Sequence, residues 1–243
     1  MKVLIEVQCY NRKTITEITL NQIKRYKGIG ADLQIVNDHS TEYDVEWLEQ
    51  FTDKVVQYPQ KANINILKYR TFKNFLKSDY DYLYMCDNDA YHDPDFMNQL
   101  FLVHQQSGGL PVTLYRSSFI KRCGVYKVTK KLPSGEVRKG LFGGISTFLS
   151  RKHIEKINEL LPETEEQWDK LTEFKAWDSR WQQHVENGCF AVPELSYVEH
   201  YGWKGQNHKN FEDDIALEPT IYLQDTHNTI KKEIIASYQN GKI

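Results

Sequence analysis

Cysteine is scarce. The 243 residues contain four, Cys9, Cys86, Cys123 and Cys189, and no two stand in Cys-x-x-Cys spacing. This argues against a disulfide framework or a thiolate metal cluster and reads as four reduced thiols in a cytoplasmic-type compartment. Net charge is also small, −2 with a pI near 6.5, so the chain lacks the basic footprint of a nucleic-acid-binding protein. No apolar run reaches the length of a membrane span. The start, Met1 to Val7, meets Glu6 too early for a signal peptide. There is no Gly-x-x-x-x-Gly-Lys-Ser/Thr phosphate loop, no internal repeat and no low-complexity linker. Hydrophobic residues make up only 40%, but aromatics reach 13%, with 15 Tyr and 11 Phe, which is enough for a sizeable core.

What the chain does have is an alternation of short apolar runs and helical stripes. Lys2 to Gln8 reads as a strand, with Val3, Ile5 and Val7 alternating against Glu6 and Gln8. A polar loop, Cys9 to Arg12, leads to a helix capped by Thr14 or Thr16 and reaching Tyr26, broken at Gly28 and Gly30. Leu33 to Val36 and Lys54 to Tyr58 are further strands, with a short helix around Trp47, Leu48 and Phe51. A helix from Ala62 to Lys77 precedes the strand Tyr82 to Cys86. Helices follow from Pro94 through Val103, over Lys152 to Leu161, over Glu165 to Asn187 and over Thr229 to Tyr238. Strands are expected at Pro111 to Tyr115, Gly124 to Thr129, Val192 and Tyr197-Val198. This is the pattern of an α/β fold with a mixed, mainly parallel sheet flanked by helices in one domain.

In such sheets ligands collect beyond the carboxyl ends of the strands. Three polar loops fall there: Cys9 to Arg12, Asn37 to Thr41, and Asp87-Asn88-Asp89. The third draws the most notice, because carboxylates ending a core strand are costly to bury unless paired, hydrogen-bonded or metal-bound. No basic residue adjoins Asp87 or Asp89 in sequence, so a hard divalent cation is one partner to consider. A turn is the ordinary alternative, since Asp and Asn both favour turns. Arg116, Lys121, Arg122, Lys127, Lys130, Lys131, Arg138 and Lys139 form a basic stretch that reads as a solvated face. Within Leu141 to Ser146, Gly143-Gly144 suggests close approach of a ligand or another backbone.

Several segments together resemble nucleotide-sugar glycosyltransferases of the GT-A fold. Val7-Gln8-Cys9-Tyr10-Asn11-Arg12 is similar to their opening strand and loop. Ile35-Val36-Asn37-Asp38-His39-Ser40-Thr41 resembles their Val-Asp-Asp-Gly-Ser-Thr segment, with Asn37 for the first Asp and His39 for Gly. Asn63, Arg70 and Asn74 match the Asn…Ala-Arg-Asn helix, with Tyr69 for Ala. Asp87-Asn88-Asp89 falls at the Asp-x-Asp motif. Trp177-Asp178-Ser179-Arg180-Trp181 resembles the Glu-Asp helix start, with Trp for Glu, and Val198 to Gly205 resembles a late His-x-Gly segment. The similarity spans most of residues 1–205. It implies a nucleotide-binding part over about 1–110, an acceptor-binding part over about 111–205, and a tail and helix over 206–243 packed on the domain.

The resemblance implies a metal-dependent inverting glycosyltransferase, moving a sugar from a nucleoside diphosphate sugar, uridine favoured, to a hydroxyl of a glycan or glycoconjugate. It implies a cytoplasmic protein, free or peripheral at a membrane. On this basis Asp89 ligates Mn²⁺ or Mg²⁺, Asp87 touches the ribose or the metal, and His200 is the third ligand. Imidazole ligation would favour manganese. Tyr10, Asn11, Arg12, Asp38, Asn63, Arg70 and Asn88 fall at donor-binding positions, with Asp38 on the base ring and Tyr10 against its face. Gly143, Gly144 and Trp177 are acceptor-side candidates. Trp177 and Trp181 offer flat faces to a sugar ring, or serve as core. Asp178 is the candidate base, at a helix start whose dipole favours its ionised form. Gly202 to Asn210 would order over the diphosphate. The alternatives are a retaining transferase, a nucleotidyltransferase and a non-catalytic nucleotide- or carbohydrate-binding module. The opening loop lacks the Gly-rich, Lys/Arg-containing sequence of nucleotidyltransferases.

Overall fold

The computed structural model describes residues 1–141, 143–171, 181–202 and 214–239. The first half alternates strand and helix: β1 (Val3–Cys9), α1 (Lys13–Tyr26), β2 (Ala31–Asn37), α2 (Val45–Glu49), β3 (Val55–Gln57), α3 (Ile64–Leu76), β4 (Tyr82–Asp87). The second half is β5 (Ala90–His92), α4 (Phe96–Gln106), α5 (Ser118–Cys123), β6 (Tyr126–Leu132), β7 (Gly135–Gly140), β8 (Ser146–Ser150), α6 (Arg151–Asn158), α7 (Glu165–Leu171), β9 (Cys189–Pro193), β10 (Val198–His200) and α8 (Ile221–Gln239).

The main sheet has the order β3-β2-β1-β4-β8. Its first four strands are parallel and β8 runs antiparallel at the edge. The chain winds outward from β1 to β3 and then returns to place β4 on the other side of β1. The gap beyond β1 and β4 is therefore the switch point at which α/β sheets bind ligands. Bridges from Val112 to Phe148 and Ala191 join this sheet to an antiparallel sheet β6-β7-β9, and β5 pairs with β10 in a two-stranded ribbon.

Every residue of β1 is buried. The apolar set Val3, Ile5 and Val7 meets Leu20 and Ile23 of α1 and Leu100 and Val103 of α4 in one core cluster. Leu4, on the other face, joins Phe72 and Phe75 of α3. Each of these phenylalanines, fully covered, contributes about 1.5–3 kcal/mol of transfer free energy. The alternation with Glu6 and Gln8 does not mark a solvent face, because α3 covers it. The polar side chains there pair with one another: Gln8 Nε2 and the Thr71 hydroxyl donate to Glu6 Oε1 at 3.0 and 2.5 Å, and Gln34 Nε2 donates to Oε2 at 3.0 Å.

Other expectations shift. Arg12, not Thr14 or Thr16, precedes α1, and it does so with φ 64°. Pro111 to Tyr115 is not a strand; Val112 forms isolated bridges to Phe148 and Ala191. Helix α5 and strands β5, β7 and β8 have no counterpart in the sequence reading. Of the expected helix Glu165 to Asn187, Glu165–Leu171 is helical and a 3₁₀ turn spans Glu186–Gly188; residues 172–180 lie outside the described set. Trp181 is not a sugar platform. It is 1% exposed and packs edge-on against Phe72. All four cysteines are free.

Candidate functional site

The parallel register brings the ends of β1, β2 and β4 to one rim. Two consecutive left-handed residues, Asn11 at φ 51° and Arg12 at φ 64°, turn the chain from β1 into α1. The β1 and β2 loops are then stitched together. The Asn11 amide donates to Ser40 Oγ at 2.8 Å, and Asn11 Oδ1 accepts from the Thr41 amide at 2.8 Å. His39, immediately before Ser40 and Thr41, has φ 61°, a conformation to which glycine is suited. Histidine is among the residue types that tolerate it best.

Asn88 fastens the β4 loop to the same place. Its side-chain amide donates to the Asn11 carbonyl and to Thr16 Oγ, and its carbonyl accepts from the Thr19 hydroxyl at 2.9 Å. This occupies Asn88 in positioning the two aspartates on either side of it.

Asp89 is 6% exposed. Its Oδ2 accepts from Arg12 Nη1 at 2.6 Å and lies 3.1 Å from His200 Nε2. Burial opposes its charge, but His200 and Arg12 together hold the carboxyl far below the usual carboxylate range. The same exchange acts on His200: burial disfavours imidazolium, Asp89 outweighs it, and the pKa is raised. His200 arrives on β10 because β10 pairs with β5, immediately after Asp89, and the Tyr201 amide donates to the Asp89 carbonyl. Gly202 makes room for the ring: a Cβ there would lie 2.6 Å from His200 Cε1. The His-x-Gly spacing carried that signal.

Asp87 is half-buried at the end of β4. Burial pushes its pKa up, Lys68 pulls it back and Asp89 pushes it further up. Lys68 of α3, fully buried below the carboxylates, was not foreseen. A lysine on the covered face of an otherwise apolar helix stripe was its one signal.

Asp38, 4% exposed, accepts from the Ala62 amide at 2.7 Å, and burial raises its pKa against that hydrogen bond and Lys61. The Lys61 ammonium stands 3.7 Å over the Tyr10 ring, so one face of that ring is already covered. Asn63 caps α3 by accepting from the Ile66 amide and donates to Asp169 at 2.6 Å. Arg70 is bound through Nε and Nη2 to both oxygens of Glu165, at 2.7 and 2.6 Å, and lies over Tyr58. Its described contacts tie α3 to α7. Among the described residues an added Cβ at Gly143 would meet only Ile120 Cγ1, at 3.9 Å, and none of their backbone crowds it. Backbone crowds Gly135 and Gly140 of β7 instead: a Cβ at either would lie 2.1 Å from a carbonyl oxygen. Trp177 and Asp178 lie outside the described residues, as does most of the Gly202 to Asn210 segment.

The donor set suits a divalent cation in kind. Asp89 Oδ1 is buried without a hydrogen-bond partner among the described residues, and Asp87 and the His200 imidazole are its neighbours. No group of three His, Cys, Asp or Glu side chains is preassembled around a metal position among the described residues. Beyond the rim, an open cavity of about 540 Å³ is lined by residues of the β2 loop, including His39, Glu42, Tyr43 and Gln57.

Solved structures share this architecture. TarS residues 1–349 from S. aureus superposes with a TM-score of 0.59 at 12% identity, over 82% of this chain and 60% of that one. The same fragment complexed with UDP-GlcNAc gives 0.58 at 14% identity, over 82% and 58%. A CMP:2-keto-3-deoxy-manno-octonic acid synthetase complexed with CTP gives 0.51 at 11% identity, over 96% of this chain and all of that one. The chain thus spans about three-fifths of the TarS fragment it matches. No family model matches the chain. No curated protein matches it either. The fold is that of the GT-A nucleotide-sugar transferases: one domain, a mainly parallel sheet, and helices on both faces. No helix among the described residues is long and apolar enough to cross a membrane.

Proposed function

We propose that the chain is an inverting glycosyltransferase that takes its sugar from a nucleoside diphosphate sugar, a uridine one by preference, in the presence of Mn²⁺ or Mg²⁺. The observation that carries this reading is the placement of Asp87 and Asp89 at the β1/β4 switch point, with Asp38 on the same rim. The TarS complexes with UDP and UDP-GlcNAc on the same fold support the donor class.

In this reading residues of about 1–110 hold the nucleotide and about 111–205 the acceptor. Asp38 and Tyr10 take the base, with Lys61 either stacked against it or displaced from the ring. Asp87, Asp89 and His200 would hold the cation. A bound divalent ion supplies positive charge to the departing diphosphate. Arg12, already beside Asp89, adds a guanidinium suited to phosphate oxygens. Asp178, on the resemblance, takes the proton from the acceptor hydroxyl as it attacks the anomeric carbon.

Calorimetric titration with UDP-GlcNAc and UDP, with and without Mn²⁺, tests the donor site. Cation-dependent binding by the wild type, lost in Asp89→Asn, is the expected result. Equal affinity with and without cation, or in the variant, would overturn it. NMR of the anomeric proton in the product distinguishes inversion from retention.

A further inference from the structure

Leu223, His227, Ile230 and Ile234 stand at the three- and four-residue spacing that puts side chains on one face of α8. Leu223 and Ile234 are buried in one cluster with Ile15 of α1, Tyr91 of β5 and Tyr201 after β10, and Ile230 packs against it. The helix is fastened at its start. Thr220 Oγ1 donates to Asp93 Oδ2 at 2.6 Å, and Tyr222 stacks on Tyr91 with ring centroids 6.2 Å apart.

His227 is the ionisable member of that stripe. Its ring stacks on Tyr201 with centroids 5.6 Å apart and planes 26° from parallel, and its Nδ1 lies 3.8 Å from Glu199 Oε2. Glu199 and Tyr201 are the two neighbours of His200. Successive side chains of extended backbone point to opposite faces. These two therefore meet α8, while the His200 ring points the other way, with Nε2 3.1 Å from Asp89 Oδ2. Both neighbours are also tied to the backbone around the site. Glu199 Oε1 accepts from the His200 amide at 3.0 Å and from the Ala216 amide at 2.9 Å. The Tyr201 amide donates to the Asp89 carbonyl at 2.9 Å, and the Tyr201 carbonyl accepts from Arg12 Nη2 at 2.7 Å.

A side chain whose flanking residues are held has its direction set before a ligand arrives, so the binding step is spared the cost of ordering it. We propose that His227 is a positioning residue of the cation site: from α8 it holds Glu199 and Tyr201, and through them aims His200 at the place beside Asp89 where a divalent cation would sit. The inference rests on the donor-site reading above and adds α8 to the machinery.

The test is a double-mutant cycle on the full chain with His227→Ala and His200→Ala. UDP affinity is read by calorimetry with and without Mn²⁺. His227→Ala should weaken UDP about 3–10-fold with Mn²⁺, the weight of ordering one side chain on binding, and less than about 2-fold without it. Once His200 is Ala, His227→Ala should add less than about 2-fold. Long-range ¹H–¹⁵N spectra of the imidazoles in metal-free protein give a second readout, with the His200 signals identified by their loss in His200→Ala. In His227→Ala the His200 ring signals should shift or broaden, while those of His153 on α6 stay in place. If His227→Ala does not fold, His227→Phe, which keeps a ring on Tyr201, takes its place. No weakening, equal weakening with and without Mn²⁺, equal weakening in both backgrounds, or unchanged His200 ring signals would each overturn the inference. Wild-type UDP binding that is absent or indifferent to Mn²⁺, together with altered His200 ring signals in His227→Ala, would overturn the donor reading and leave the positioning of His200 by His227 standing.

Discussion

The Arg12 guanidinium donates to Asp89 Oδ2 across 2.6 Å, and both side chains are largely buried, 17% and 8% exposed. The chain thus answers from within the question posed by a carboxylate at the end of a core strand. Its partner is 77 residues away in sequence and arrives only because β1 and β4 are neighbours. His200 shares the same oxygen, so Asp89 is counterbalanced before any metal is considered.

That arrangement changes what Asp89→Ala should do. From sequence, the substitution is expected to abolish cation-dependent donor binding and leave the fold intact. The structure adds a second effect, because removing one member of a buried pair strands the others. A loss of about 3–5 kcal/mol is expected in metal-free protein. Urea denaturation of wild type and variant checks this, and a difference below about 1 kcal/mol would show that Arg12 and His200 find water when Asp89 is gone.

Arg70 gives the opposite kind of expectation. The resemblance places it near the donor, whereas its described contacts are Glu165 and Tyr58. Both members of the pair are partly exposed, so screening limits its worth to about 1 kcal/mol or less. Arg70→Ala should lower stability by about that amount, as should Glu165→Gln, and the two should not add. UDP affinity should change less than about 2-fold. A tenfold loss of nucleotide affinity in Arg70→Ala alone would return the residue to the donor site.

Acid stability should depend on His92. The ring is fully buried, its Nε2 is 2.8 Å from the Tyr84 hydroxyl, and burial lowers its pKa to about 3. In the unfolded chain it returns to about 6.5. The unfolded state therefore binds the extra proton between these values, and stability rises with pH across that window. The contribution is fully present above about pH 6.5 and is lost progressively as pH falls towards 3, to a limit of about 4–5 kcal/mol. His92→Gln should lower stability at pH 7.5 yet flatten its fall between pH 6.5 and 4. Parallel curves for wild type and variant would assign the acid sensitivity elsewhere.

What the sequence disclosed and what it withheld have separate physical causes. The first four strands and their helices were readable because each is local: Val3, Ile5 and Val7 set a period, and Gly28 and Gly30 punctuate it. Placing Cys9 to Arg12, Asn37 to Thr41 and Asp87 to Asp89 on one rim followed from parallel order alone. Helix α5 was hidden because it has only six residues, and β7 because Glu136 and Arg138 on it are charged yet buried, paired with one another. The Arg12–Asp89 pair, Lys68 beneath Asp87, and α8 behind the site all depend on contacts between distant segments. No local pattern encodes those. His39 was visible as a departure, and only its φ explains how the loop keeps its shape without Gly.

The remaining prediction concerns Asp178. The residue lies outside the described set, and its assignment rests on the resemblance of Trp177 to Trp181 to the helix start that carries the base in inverting GT-A glycosyltransferases. Direct displacement at an anomeric carbon needs a carboxylate on the acceptor side, opposite the diphosphate. Asp38, Asp87 and Asp89 stand at the strand ends assigned to the donor, and Asp89 is already committed to Arg12 and His200. Asp178→Asn keeps the size and loses the basicity. Donor affinity should hold within about 2-fold, because the contacts proposed for the donor lie on the β1, β2 and β4 loops. Turnover should fall roughly 10²–10⁴-fold, the usual weight of a general base. The loss should sit in kcat rather than in the donor KM, since the missing interaction belongs to the transition state. Steady-state transfer assays with a competent donor and acceptor measure both. Near-normal transfer by Asp178→Asn would remove the residue from the mechanism and shift the chemistry to retention of configuration.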